Sequence, residues 1–221
     1  MKNKSKIKIF LFLFFLFLIL FFLIGTLYNN KNKLIEKKMG GEKVTFKKVI
    51  LIIAFRGFQD IEYSNTRAEL EKMNIEVKVA SSSLGEAIGK FGKRVKVDKL
   101  IDEVNLDNYE AVVFIGGPGA VDYIENKKAH QLAQQAVEKG KILGAICIAP
   151  EILAKAGVLK GKKATVWSSF IDRQPIEVLK KEGAIYIDKP VVVDGKIITA
   201  NGPSAAKKFG KTIAELNLKI K

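Results

Sequence analysis

Cys147 is the single cysteine of this 221-residue chain, and its surroundings suit a nucleophile. The run Lys141-Ile142-Leu143-Gly144-Ala145-Ile146 reads as a short buried strand that ends at the cysteine. Pro150-Glu151-Ile152-Leu153-Ala154-Lys155-Ala156 reads as a helix starting three residues later. A side chain mounted on a strand-to-helix turn projects from the sheet edge toward the first amides of the next helix. Those amides and the helix dipole favour an anion, so the spacing predicts a thiolate of lowered pKa, able to add to an electrophilic carbon. The competing reading is a small buried hydrophobe, the usual fate of a lone cysteine. The strand–turn–helix context argues against it.

The elements that must position this thiol follow from pattern. Residues 49–55 form a continuous apolar run, as expected of a parallel strand covered on both faces. Residues 75–80 and 111–115 read as further strands, the latter closed by Gly116-Gly117-Pro118-Gly119. Helices are expected at about 59–72, 129–139 and 205–216, with later strands at 163–166, 184–187, 191–193 and 196–199. The turn Val193-Asp194-Gly195-Lys196 predicts a hairpin. Strands alternating with helices indicate an α/β fold with a mainly parallel sheet. Sites in such sheets gather beyond the carboxyl ends of the strands. The turn after Phe55, the glycines after Ile115 and Cys147 all fall there.

The amino-terminal region is a separate object. Lys2, Lys4, Lys6 and Lys8 precede an uncharged apolar stretch at residues 9–28, about the 20 residues that cross a bilayer as a helix. No small-residue cleavage pattern follows. The expectation is an uncleaved signal-anchor over residues 1–28, with a cleaved signal as the alternative. The flanking lysines favour an extracytoplasmic globular part. Residues 29–44 read as a polar, lysine-rich linker, and residues 45–221 as one domain, long enough to build a core without disulfides.

Of the net charge of +15, nine lysines and two glutamates place +7 in residues 1–44 and leave +8 for the rest. Basic residues cluster locally at Lys90, Lys93, Arg94, Lys96 and Lys99, but no aromatic residues interleave with them, so no nucleic-acid partner is expected. With one cysteine and one histidine there is no Cys/His ligand cluster, and no metal is expected.

Four segments, in order and at matching spacing, resemble the DJ-1/PfpI family of the glutamine-amidotransferase-like superfold. They are Phe55-Arg56-Gly57-Phe58-Gln59-Asp60-Ile61-Glu62, Val113-Phe114-Ile115-Gly116-Gly117-Pro118-Gly119-Ala120, Ala145-Ile146-Cys147-Ile148-Ala149-Pro150 and Ala156-Gly157-Val158-Leu159-Lys160-Gly161-Lys162-Lys163. The resemblance covers residues 47–216 and implies a flavodoxin-like three-layer sandwich with a nucleophile elbow. It implies Cys147 as nucleophile and Glu62 as general acid/base. A glutamate beside a thiolate should have a raised pKa, since neither anion tolerates the other. Gly116, Gly117 and the amide of Ile148 would form an oxyanion hole, although a glycine pair also serves any tight turn. A homo-oligomer is implied as well.

Departures from the family pattern narrow the chemistry. Members described as proteases carry histidine after the nucleophile, where this chain has Ile148; their acidic partner falls at Val121. Trp167 stands where other members place a histidine, and Asn201 where an arginine is frequent. His130, the only histidine, is expected on a surface helix away from the thiol. The resemblance therefore implies a cofactor-independent enzyme acting on small reactive carbonyls, of glyoxalase or deglycase type, through Cys147 and Glu62. A thiol redox sensor is the alternative, and a cysteine peptidase is disfavoured for want of a base.

Overall fold

The computed structural model describes residues 47–219. The expected apolar segment at 9–28 and the linker at 29–44 lie outside them. The chain divides into two units, Met1–Thr45 and Phe46–Lys221, and the described residues all belong to the second. Among them no helix is long and apolar enough to cross a membrane.

The described residues open with β1 (Lys48–Ile52), β2 (Arg56–Phe58) and α1 (Asp60–Glu71), followed by β3 (Glu76–Ser81), β4 (Gly85–Gly89), β5 (Arg94–Val97) and β6 (Lys99–Leu100). β7 (Ala111–Phe114), α2 (Lys127–Glu138), β8 (Ile142–Ile146) and α3 (Pro150–Lys155) come next. The rest is β9 (Lys163–Ala164), α4 (Gln174–Lys181), β10 (Ile185–Tyr186), β11 (Val191–Asp194), β12 (Ile197–Ala200) and α5 (Ala206–Lys219).

The central sheet, seven strands among the described residues, runs β11-β12-β8-β7-β1-β3-β6. Every pairing in it is parallel except that of the β11–β12 hairpin. β1, β7 and β8 are apolar along nearly their whole length and buried, as a sheet covered on both faces requires.

The order of the strands creates the site. From β1 the chain crosses through α1 to β3 on one side; from β7 it crosses through α2 to β8 on the other. Right-handed crossovers in opposite directions put α1 and α2 on opposite faces and open a crevice where the direction reverses. α5 returns to pack on α1, β8 and β12. Gly144 in β8 makes room for it, since a Cβ there would lie 3.1 Å from both Phe209 and Ile213.

The expected strands and helices form, with ends shifted by a few residues. β1 ends at Ile52, three residues before Phe55, while Ile53 and Ala54 stay buried and carry the chain to the crevice. Two features are not anticipated by the sequence pattern. One is α4, a short charged helix that starts on Gln174-Pro175. The other is a small sheet, β2-β4-β5, formed by the turn after Phe55, residues 85–89 and part of the basic cluster. In β5 the alternation Arg94-Val95-Lys96-Val97 buries only the valines, as a half-exposed strand does.

Candidate active site

Cys147 follows β8 directly and adopts φ +64°, one of two non-glycine residues with positive φ among those described. Such a conformation costs about 1–3 kcal/mol and persists only when neighbouring contacts over-determine it. Here both backbone groups are tied. The Cys147 amide donates to the Ala200 carbonyl at 2.9 Å, and its carbonyl accepts from the Trp167 amide at 2.8 Å. The elbow is thus clamped between β12 and the strand-end segment after β9, and its half-buried side chain points out of the sheet.

Glu62 reaches the same place from α1. Gln59 caps that helix, its side-chain oxygen accepting from the amides of Ile61 (2.6 Å) and Glu62 (3.0 Å). Phe58 and Tyr63, edge to face at 5.5 Å, flank the cap as a hydrophobic staple. Glu62 occupies the third helical position, where a capping glutamate would turn back onto the cap amide. Gly116 takes that amide instead: Gln59 donates to the Gly116 carbonyl at 2.9 Å. The carboxyl is left to turn inward, where it accepts from the Gly116 amide at 3.1 Å and meets the Cys147 side chain. Its second oxygen, Oε1, is buried without a conventional hydrogen-bond partner.

The burial order along α1 is inverted. Ile61 is 48% exposed while Glu62 is 0%, and a carboxyl so placed, with one amide for company, is costly as an anion. Burial accordingly pushes the Glu62 pKa up to about 7, against the lowering pull of Cys147 and the Gly116 amide. The helix N-terminus favours the anion by only about 0.3–1 kcal/mol. A rise of that size corresponds to roughly 3 kcal/mol, so desolvation wins. A solvated helix carboxylate is excluded.

The expectation of a lowered cysteine pKa is overturned. Burial, and then the Glu62 charge, push the Cys147 thiol up; only the amides of Gly117 and Ile148 pull it down. α3 is six residues long and its cap, Ala149, offers no side-chain hydrogen bond, too little to offset desolvation. The Glu62 contribution depends on protonation. Once Glu62 takes a proton the repulsion vanishes, and the carboxyl can donate to sulfur.

The expected oxyanion set divides in two. The Gly116 amide is committed to Glu62, so Gly116 does not serve the cavity. The Gly117 and Ile148 amides are the ones beside the thiol. Gly116 is needed for space, because a Cβ would lie 2.5 Å from the Cys147 Cβ and 2.8 Å from a Glu62 oxygen. Gly117 is needed for conformation too, with φ +109° and a virtual Cβ 2.5 Å from the Gln59 amide. Gly117→Ala should lower unfolding free energy by about 3 kcal/mol, combining left-handed strain with overpacking, as a urea titration would measure.

A cavity of about 270 Å³ opens over the thiol. Pro118, Val121, Ile148 and Trp167 make its apolar wall, and Gln59 and Lys90 add polar groups. Trp167 is therefore a pocket wall. Val121 and Ile148 stand on the cavity as apolar groups with no proton to exchange. His130 is half-buried in α2, its Nε2 2.7 Å from the Ile124 carbonyl, and does not line the cavity. Neither Gln59 nor Lys90 is expected at the site from the sequence. Gln59 could have been found as a helix cap three residues before a glutamate, whereas Lys90 arrives by a hairpin with no local signal. Among the described residues no group of three or more His, Cys, Asp or Glu side chains could hold a metal ion.

The family model described as "DJ-1/PfpI family" matches residues 47–216. The chain belongs to the DJ-1/PfpI family. An uncharacterised protein of Methanocaldococcus jannaschii is 44% identical over 164 residues, covering 74% of this chain and 78% of that protein. A deglycase of Thermococcus kodakarensis is 37% identical over 154 residues, 70% of this chain and 90% of its own. Among solved structures, a ThiJ/PfpI domain protein from Brachyspira murdochii superposes with a TM-score of 0.76 at 28% identity, covering 80% of this chain and 99% of that one. The α/β flavodoxin-like fold with its mainly parallel sheet is thus shared with other DJ-1/PfpI proteins.

Proposed function

We propose that this domain is a cofactor-independent enzyme that acts on small reactive carbonyls, of deglycase or glyoxalase type. The observation that carries the reading is the buried Glu62 carboxyl, with a pKa near 7, set against a cysteine on a positive-φ elbow. A carboxyl near neutrality can both give and take a proton at physiological pH. The kinship with a protein named deglycase supports the same reaction class.

With methylglyoxal, the Glu62 carboxylate takes the Cys147 proton as sulfur attacks the aldehyde carbon, and the carbonyl electrons move to oxygen. The amides of Gly117 and Ile148 stabilise that oxygen until Glu62 protonates it to a hemithioacetal. Glu62, again a carboxylate, removes the remaining hydrogen on the former aldehyde carbon and returns a proton to the neighbouring carbon, while the hydroxyl proton passes to the neighbouring oxygen. The product is a thioester of lactic acid. Water adds to it, the carbon–sulfur bond breaks, and lactate and the thiol are released. The net change is one water added, with no external oxidant or reductant. The full-length protein should convert methylglyoxal to lactate as followed by an enzymatic lactate assay. Absence of lactate above a heat-inactivated control would refute the reading.

The unpartnered Glu62 Oε1 favours one second reading, a thiol redox sensor. Two equivalents of peroxide would oxidise Cys147 to a sulfinic acid, with two waters formed, and a protonated Glu62 would donate a hydrogen bond to it. Stable addition of two oxygens at Cys147 by intact mass, without carbonyl turnover, is the pattern that reading requires. The peptidase reading finds no histidine on the cavity, where Ile148 and Val121 stand instead.

A further inference from the structure

The cavity over Cys147 carries one cationic side chain, Lys90, and its place there is built into the fold. Lys90 opens the turn between β4 and β5, and this turn is held from below. Asp60, at the first position of α1, accepts from the amides of Phe91 at 2.9 Å and Lys93 at 2.8 Å. The Lys90 amide donates to the Phe58 carbonyl at 2.8 Å, and the Gly89 amide to the Lys93 carbonyl at 2.8 Å. α1 therefore positions both Glu62 at the base of the site and the hairpin at its mouth. Lys90 has no carboxylate partner among the described residues; its ammonium lies 5.4 Å from the Phe91 ring centroid. The neighbouring Arg94 is paired with Glu86 at 3.2 Å, whereas Lys93 and Lys96 leave the hairpin net positive.

Building on the proposed carbonyl chemistry, we infer that Lys90 selects 2-oxoaldehydes that carry a carboxylate at the end remote from the aldehyde. Distance between the two ends is part of the argument. The reacting sulfur and Glu62 share a negative charge at the floor of the cavity, so an anion next to the aldehyde would be repelled. An anion several bonds away reaches the mouth, where the ammonium is a compact point charge that can turn to meet it. A volume of about 270 Å³ leaves room beyond the three carbons of methylglyoxal. The positive hairpin also raises the local concentration of anions and hastens their encounter.

The test compares 4,5-dioxopentanoate with its uncharged chain-length match, 2-oxopentanal, on the full-length protein. Each takes up one water, giving 2-hydroxyglutarate and 2-hydroxypentanoate respectively. The ratio of their kcat/KM values should favour the acid by roughly tenfold at low salt, as an ion pair near a protein surface allows. It should shrink in 0.5 M salt, where screening is strong. Lys90→Gln should bring the ratio close to one, and Lys90→Glu should invert it, whatever the absolute rates do. A ratio near one in the unaltered protein, or one that Lys90→Gln does not change, overturns the inference while leaving the carbonyl enzyme in place. Failure to turn over either compound while methylglyoxal is still converted overturns the inference alone, and failure on all three removes both.

Discussion

Cys147→Ser should abolish lactate formation from methylglyoxal, by at least about three orders of magnitude, as loss of a covalent nucleophile does. The size of the effect follows from the mechanism, in which the substrate stays joined to sulfur from the first addition to the final hydrolysis. A serine hydroxyl occupies nearly the same volume but is far less acidic, and Glu62, with a pKa near 7, is too weak a base to ionise it. The fold should survive, because the positive φ at this position is held by backbone bonds to Ala200 and Trp167 that do not involve the side chain. A thermal melt within about 3 °C of the unaltered protein, a shift worth roughly 1 kcal/mol, would establish that chemistry alone was lost. Appreciable turnover by the folded mutant would remove Cys147 from the mechanism.

Glu62→Gln should move activity and stability in opposite directions. Glutamine can keep the hydrogen bond from the Gly116 amide but cannot exchange a proton, so turnover should fall by about 10²–10⁴-fold. Stability depends on pH. Below pH 4.5 the carboxyl is protonated whether the chain is folded or not. As pH rises from 4.5 to about 7 the unfolded chain ionises while the folded one resists, which favours unfolding. The folded protein therefore loses stability across that window, and above it the loss reaches about 3 kcal/mol from Glu62 alone. Glu151 adds to the trend, its pKa also pushed up to about 7 by burial and by the Asp172 charge. Glu62→Gln removes its share, so the variant should be the more stable protein at pH 8 and differ little at pH 4. Urea unfolding at the two pH values measures this directly. A variant less stable at pH 8 would show that the carboxylate is well accommodated in the folded protein, contrary to the burial argument.

Much of this domain is legible without a structure. The apolar runs that become β1, β7 and β8 declare themselves because a strand buried on both faces needs no alternation, and the glycine-rich turn and the cysteine follow two of them. What pattern does not reveal is anything whose partner is distant in sequence. β5 looks like a basic stretch because only its valines face inward, and the residues that cover them are elsewhere. α4 is short and charged, stabilised where it packs against α3. The pKa of Cys147 escapes pattern for the same reason: a local argument sees the helix amides, whereas desolvation depends on what the rest of the chain packs around the thiol.

By itself the sequence determined the central strands and the longer helices, their order and the point at which a nucleophile would be mounted, because each depends on residues adjacent along the chain. Tertiary structure alone decided what surrounds that nucleophile. It turned Glu62 inward and left Ile61 outside, because Gly116, 54 residues away, took the amide that a capping glutamate would have satisfied. It also spent the Gly116 amide on Glu62 and brought Lys90 over the cavity. These outcomes rest on desolvation and on which backbone groups are already paired, quantities that exist only once the chain has closed on itself.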